Sequence, residues 1–224
     1  MCPTPLLLGH RGAHASRSVR ENTLPAFDLA LEHGCDGFEL DARLTLDGAA
    51  VICHDADFEG TEIATVTAAE LQRLPLVEAV LARYAKQAFL DIELKVPGLA
   101  APVLAALGEQ PPENGYLVSS FLPDVLGEVR DSNPSIPLGL ICDRRKQLQG
   151  WRDLPIDYVI PRYSLVTREL VDQVHNTGKK LFAWTVNDKA SMLRFANWGV
   201  DGIISDKTAL LVSTFRSGSR QSWE

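Results

Sequence analysis

The sequence predicts an α/β fold, a (β/α)8 TIM barrel in a single domain, and three observations predict it. Eight short apolar runs begin near residues 6, 37, 88, 115, 137, 157, 180 and 202. Each is followed by a stretch with helical spacing or helix-like composition. The 224 residues, 46% hydrophobic and 23% charged, are enough for one large core and suit such a barrel. An open, doubly wound parallel sheet is the competing arrangement.

"PLLLGH" opens the chain as a strand. In "NTLPAFDLALEHG", Leu24, Phe27 and Leu31 recur at helical spacing until Gly34 ends the pattern. "GFELDARL" is the second strand, and "TLDG" turns the chain back into "AAVICHD", the return arm of a hairpin. "TAAELQRL" and "PLVEAVLARYA" carry helical patterns. The alternation is then regular: "AFLDIELK" with "LAAPVLAALGEQ", "GYLVSSF" with "PDVLGEVRDSN", and "PLGLIC" with a polar segment of weak helical signal over 143–153. "DYVIPRYS" leads to "TRELVDQVHNTG", "KKLFAWTV" to "DKASMLRFANWG", and "GIISD" to "TALLVSTF". The barrel is expected over residues 1–216, with 217–224 a frayed tail.

Composition excludes several classes. With 29 acidic against 22 basic residues the formal net charge is -7, which argues against nucleic-acid or anionic-membrane binding. An anionic substrate would need a locally positive pocket. The four cysteines, at 2, 35, 53 and 142, form no CxxC pair and no zinc spacing, and are read as small buried apolar residues. "MCPTPLLLGH" lacks the pattern of a signal peptide and no apolar run approaches a membrane span. A cytoplasmic protein without membrane insertion is expected.

The chemistry concentrates in "GFELDARLTLDGAAVICHD". In a strand, Glu39 and Asp41 share one face, with Phe38 and Leu40 on the other. Two carboxylates side by side repel, and burying either costs several kcal/mol. Barrel active sites are built at the C-terminal ends of the strands. His10 and Arg11 follow the first strand, Glu39 and Asp41 end the second, and the hairpin delivers His54. Glu93 and Lys95 end the third, and Trp184 lies near the end of the seventh. Singly, each has a plainer reading: a solvated strand face, a helix cap, a charged strand end, a packed indole. Their arrival on one rim favours a site. His14, His33 and His175 lack such a setting and are read as loop or surface residues.

Three carboxylates converging from two neighbouring strands need a cation, and oxygen ligands select Mg²⁺ or Ca²⁺, with Mn²⁺ a third candidate. Two histidines exchange protons near neutral pH. Arg11 offers a planar fork and Lys95 a point charge, both suited to phosphate. Such a set describes cleavage of a phosphate ester.

"GHRG", "ENTLPAF", "ELD", "LDG", "CHD", "ELK", "SSF" and "AWTVN" fall in the order and approximate spacing of the glycerophosphodiester phosphodiesterases, which the chain resembles from Gly9 to about Asp206. The resemblance implies hydrolysis of a small-molecule glycerophosphodiester to glycerol 3-phosphate and an alcohol. It implies that Glu39, Asp41 and Glu93 hold the divalent metal and that His10 and His54 are the acid–base pair. Arg11 and Lys95 would bind phosphoryl oxygens, Trp184 would wall the glycerol side, and Glu21 and Asn22 would support the site.

Two departures from the family pattern stand out. Residues 55–92 hold only two short helical patterns where members often carry a sizeable insertion, so the alcohol half of the substrate is expected to meet mainly solvent. The usual threonine-aspartate-x-proline after the last strand is "SDKT", residues 205–208, a change expected to touch only the closing helix. The rival readings are a lysophospholipase D, a catalytically dead barrel serving as a binding module, and a sugar-phosphate isomerase.

Overall fold

Eight of the apolar runs become parallel strands because each places alternate side chains inside the barrel and under a helix. The computed structural model describes residues 4–16 and 18–216; the tail expected at 217–224 and Cys2 lie outside the described residues. In chain order the elements are β1 (Leu6–Gly9), α1 (Leu24–Glu32), β2 (Gly37–Leu44), β3 (Ala50–Ile52), β4 (Asp57–Phe58), β5 (Thr61–Glu62), α2 (Val77–Tyr84), β6 (Phe89–Leu94), α3 (Ala100–Glu109), β7 (Tyr116–Ser120), α4 (Pro123–Ser132), β8 (Leu138–Cys142), β9 (Tyr158–Pro161), α5 (Arg168–His175), β10 (Lys180–Ala183), α6 (Lys189–Trp198), β11 (Gly202–Ser205) and α7 (Thr208–Phe215).

The parallel order β1-β2-β6-β7-β8-β9-β10-β11 closes on itself, since β1 pairs with both β2 and β11. Closure rules out the open sheet. β3 lies antiparallel along the end of β2, so "AVICH" is the return arm of a hairpin.

Two expected helices differ. "TAAELQRL" forms only a short 3-10 turn, Ala68–Leu71, closed by a capping box between Thr67 and Glu70. Pro75 follows too soon for an α-helix to extend. The polar segment after β8 makes two 3-10 turns, Gln147–Gln149 and Trp151–Asp153, anchored by the buried Trp151. Three of the helices start on side-chain caps: Thr23 accepts from the Ala26 N–H at α1, Thr167 from the Leu170 N–H at α5, and Asp188 from the Ser191 N–H at α6. Among the described residues no helix is long and apolar enough to cross a membrane. Cys35, Cys53 and Cys142 are buried free thiols.

The core has two layers. Between strands and helices, Phe27 stacks on Phe38 at 4.2 Å and Tyr84 meets both edge-on. Inside the barrel, Leu8, Phe89, Leu117, Ile141, Tyr158, Ile160, Phe182 and Ile204 fill the lumen. Phe38, Leu40, Leu90 and Ile92 belong to the outer layer, so the alternation turns Glu39, Asp41, Asp91 and Glu93 inward. The β2–β6 register sets Glu39 beside Asp91 and Asp41 beside Glu93.

Glycine is required where β2 meets β6: a Cβ on Gly37 would stand 1.8 Å from the Phe89 carbonyl oxygen. Gly108, inside α3, has open space around it. Gly37→Ala is expected to destabilise by about 3 kcal/mol, the upper end for overpacking because backbone cannot step aside. Gly108→Ala should stabilise by about 0.5 kcal/mol through the unfolded chain. Urea midpoints of the two variants against the parent check both signs.

Candidate active site

The loop after β1 is folded back over β2 by the side chains of the acids themselves. Arg11 (φ 52°) and Asn22 (φ 55°) both adopt left-handed backbone, a conformation costing about 1 kcal/mol or more in a non-glycine residue. The Arg11 N–H donates to Glu39 Oε2 at 2.9 Å, and the Asn22 N–H donates to the Arg11 carbonyl at 3.1 Å. The Asn22 amide donates to Asp41 Oδ2 at 2.7 Å, and the Asp41 N–H donates to Asn22 Oδ1 at 3.3 Å. "HRG" and "ENT" are thus tied to "ELD" by hydrogen bonds.

Around this anchor the charges converge. One oxygen each from Glu39, Asp41 and Glu93 lie within 4.8 Å of one another. Lys95 Nζ is 2.8 Å from Glu93 Oε1 and 3.2 Å from Asp41 Oδ1. Arg11 Nε is 3.2 Å from Asp41 Oδ2, and its Nη1 donates to Glu21 Oε1 at 3.0 Å. The contacts of Lys95 and Arg11 with Asp41 are ion pairs without hydrogen-bond alignment, because Asp41 Oδ1 and Arg11 Nε have no hydrogen-bond partner. Glu39 Oε1 is also buried and unpartnered. Free hard-oxygen acceptors beside one another suit a divalent cation, and these three residues could hold one.

The two histidines are organised alike. His10 Nδ1 pairs with Asp206 Oδ1 at 2.6 Å, and its Nε2 stands 3.9 Å from Glu39 Oε2. His54 Nδ1 pairs with Asp55 Oδ1 at 2.8 Å, while Arg43 donates twice to the His54 carbonyl. In both rings Nδ1 is engaged by a carboxylate and Nε2 is left to the site. They differ in burial: the His10 side chain is 12% exposed and the His54 side chain 35%.

Trp184 is fixed by donating its indole N–H to the Ile160 carbonyl at 3.0 Å, and its ring lies 6.3 Å from His10 and 5.5 Å from Phe121. His10, Arg11, Glu39, His54, Glu93, Lys95 and Trp184 line one cavity of about 90 Å³, with Asp91 and an apolar remainder. Beside it a wider cleft of about 590 Å³ runs between the loop before α1 and the β4 turn. His54 borders both.

Burial and mutual repulsion dominate the electrostatics. Burial, then Asp41 and Glu93, push Glu39 well above the usual carboxylate range. Burial, then Asp41, push Glu93 up to about 8. Burial opposes ionisation of Asp41 too, but Lys95, Arg11 and the Asn22 amide overcome it and its pKa is lowered. Asp206 is lowered in the same way, its burial outweighed by the bond to His10. Burial is also the largest influence on His54 and holds it below its ordinary value.

The sequence-predicted residues His10, Arg11, Glu21, Glu39, Asp41, His54, Glu93, Lys95 and Trp184 all come to this rim. Two residues and one pairing were missed. Asp206, the aspartate that "SDKT" keeps, is the His10 partner and is itself held by Asn187 at 2.6 Å. His14 is the exposed loop residue expected, and it also pairs with Glu21, its ring meeting that of His10 edge-on at 5.9 Å. Asp91 hydrogen-bonds to Ser119 in the lumen; the period-two rule applied to "DIELK" would have placed it with Glu93. His33 and His175 pair with Thr208 and Asp201, away from the site.

A model of the glycerophosphoryl diester phosphodiesterase family matches residues 10–111 and 107–210. The chain is 32% identical over 241 residues to a glycerophosphodiester phosphodiesterase of Caldanaerobacter subterraneus subsp. tengcongensis, covering 95% of this chain and 98% of that protein. It is 26% identical over 246 residues to one of Bacillus subtilis, covering 90% and 83%. Among solved structures it is similar to the glycerophosphodiester phosphodiesterase of Thermotoga maritima, with TM-score 0.80, 26% identity and coverage of 93% and 97%. It also shares its fold with an Oleispira antarctica phosphodiesterase solved with the product sn-glycerol-3-phosphate, with TM-score 0.82, 24% identity and coverage of 94% and 96%.

An acid whose pKa is higher in the folded chain binds more protons when folded, so its stabilisation is present at low pH and lost as pH rises. For Glu93 the window runs from its ordinary 4.5 up to about 8, and Glu39 acts in the same sense. Asp41 acts oppositely, and its contribution is lost only as pH falls below 3.8. In chelator, the melting temperature should fall by at least ~3 °C between about pH 5 and about pH 8.5. Excess Mg²⁺ or Ca²⁺ should flatten that slope, and Glu93→Gln should reduce it, leaving the part due to Glu39 and to Asp91, which burial raises to about 7. Scanning calorimetry across this range checks the three curves.

Proposed function

The chain belongs to the glycerophosphoryl diester phosphodiesterase family, and from that premise we propose how its residues divide the reaction. It is a phosphoric diester hydrolase. The proposed reaction releases glycerol 3-phosphate and an alcohol, in keeping with the name of the Caldanaerobacter relative and with the product bound by the Oleispira enzyme. One observation carries the reading: two carboxylate-oriented imidazoles, two cations and two members of the acidic triad, Glu39 and Glu93, line one cavity. A dead barrel would have lost some of these groups, and none is lost.

Glu39, Asp41 and Glu93 are the residues that would hold a divalent cation, Mg²⁺, Ca²⁺ or Mn²⁺. When bound, such an ion supplies charge to the phosphoryl oxygens and acidity to a nearby hydroxyl. Arg11 and Lys95 bind and orient the phosphate, each kept charged by the acids around it. Trp184 and Phe121 close the glycerol side against water.

The histidines move the protons. One imidazole Nε2 accepts the proton of the glycerol hydroxyl beside the ester as that oxygen bonds to phosphorus. The other donates a proton to the alcohol oxygen as its bond to phosphorus breaks. Water then opens the resulting cyclic phosphate with the roles exchanged, which returns both rings to their starting state. Asp206 and Asp55 hold the two rings with Nδ1 turned away from the reaction. The alcohol half lies on the side of the wide cleft that His54 borders, where Arg20, Arg73 and Asp57 offer polar walls.

Exhaustive chelation should abolish turnover, and Mg²⁺, Mn²⁺ or Ca²⁺ should restore it to different extents. Glu39→Gln and Asp41→Asn should raise the metal concentration required. Full activity in chelator would remove the cation from the scheme. His10→Ala and His54→Ala should each lose ~10²–10⁴ in kcat. The double variant should fall far less than the product of the singles, because the two groups act as a pair. Steady-state kinetics on glycerophosphocholine measures both; a single variant with most of its activity would break up the pair.

Leaving groups should be weakly discriminated, because the cleft is several times larger than the cavity and its walls mix polar and apolar groups. Glycerophosphocholine, glycerophosphoethanolamine and glycerophosphoglycerol are expected to differ by less than about tenfold in kcat/KM. A hundredfold preference across that panel would show a specific headgroup pocket.

A further inference from the structure

The polar groups lining the small cavity are almost all engaged. His10 and His54 exchange protons, Arg11 and Lys95 take the phosphate, and Glu39 and Glu93 belong to the acidic triad. The rest of the lining is Phe121, Ile141, Ile160, Trp184 and Ile204, all apolar, and Asp91. Asp91 sits on β6 two residues before Glu93 and beside Glu39 in register, one step deeper in the barrel. Its Oδ1 accepts from the Ser119 hydroxyl at 2.6 Å. Its Oδ2 is buried with no hydrogen-bond partner. An unpartnered carboxylate oxygen in an apolar floor is costly to the fold, and Ser119 fixes the group so that its second oxygen remains an acceptor.

We propose that Asp91 determines specificity by accepting a hydrogen bond from the terminal hydroxyl of the substrate's glycerol half. The inference rests on the glycerophosphodiester reading above. A glycerol half bears two free hydroxyls. The one beside the ester is used in the reaction, while the terminal one has no assigned partner. At about 90 Å³ the cavity is small beside the ~300–1,000 Å³ of ordinary ligand pockets, so it takes only a small group such as this half. Among the cavity-lining residues, Asp91 is the polar side chain without another task. A site built to bond a hydroxyl rejects an analogue lacking it, because the buried acceptor is then left unpaired.

The experiment compares p-nitrophenyl phosphodiesters of glycerol and of propane-1,2-diol. The second keeps the hydroxyl beside the ester and lacks the terminal one. The parent enzyme should prefer the glycerol ester by about ten- to a hundredfold in kcat/KM, as expected when removing a hydroxyl leaves a buried acceptor unpaired. In Asp91→Ala this ratio should collapse to within about threefold of one, and in the isosteric Asp91→Asn, where Ser119 keeps the one remaining oxygen and an NH2 donor replaces Oδ2, it should fall severalfold. Calorimetric binding of glycerol 3-phosphate against propane-1,2-diol 1-phosphate should show the same loss. The ratio does not depend on the fraction of enzyme that folds, so Asp91→Asn decides the matter if Asp91→Ala is poorly folded. An unchanged ratio in Asp91→Asn, with equal losses on both substrates or only a raised metal requirement, overturns the assignment and leaves the glycerophosphodiester reading standing. No turnover of the glycerol ester by the parent enzyme overturns both.

Discussion

The β2–β6 pairing governs the rest of the structure, because its register lays Glu39 beside Asp91 and Asp41 beside Glu93 inside the barrel. Two unit charges about 5 Å apart repel by ~3 kcal/mol at an effective dielectric constant of about 20. A one-residue slip would turn the acids out under the helices and bring Phe38 and Leu40 inward. The outer layer, with Phe27, Phe38 and Tyr84 in mutual contact, holds the register against that repulsion. Arg11 and Lys95 bring two positive charges to a triad that carries three negative ones when ionised. Burial is the larger cause of the rise at Glu39 and Glu93 and the remaining imbalance adds to it; that imbalance is what a divalent cation would remove.

The strands were legible because an apolar run bounded by turn residues has few alternatives at this length. β1, β2 and the later barrel strands begin within one residue of where the apolar runs begin in the sequence. Less legible was the chain between β3 and β6, where Thr67 and Glu70 close a capping box that sequence alone cannot tell from the start of an α-helix. The acidic and cationic members of the site were legible for a related reason. Strand ends and barrel rim coincide, so residues such as Glu39 and Glu93 are placed by the strand alone.

What escaped was the pairing across the seam. His10 and Asp206 are 196 residues apart and meet only because β1 and β11 close the barrel. No local pattern around "SDKT" signals this pairing, although its aspartate ends the strand run "GIISD". The pairing of His14 with Glu21 escaped for another reason: an exposed loop histidine gives no sign in the sequence of which carboxylate it meets. Asp91 was legible in principle. "DIELK" puts Asp91 and Glu93 on the same face, and the polar rim drew attention away from the residue below it.

The two histidines show why a closed barrel and a hairpin are both needed. His10 is carried on a strand end and braced by Asp206, which Asn187 braces in turn, so its ring is held by the barrel seam itself. His54 is carried on the hairpin arm after β2, braced by the exposed Asp55 and by Arg43 on its carbonyl, and it forms the wall between the small cavity and the wide cleft. A diester has two unlike halves, one common to every substrate and one that varies. In the proposed reaction the invariant half lies with the buried histidine in a cavity too small for anything else. The variable half lies beyond the exposed one, where the hairpin and the loop before α1 enclose space without a close fit. Rigid support and tolerance are thus separated by a single imidazole.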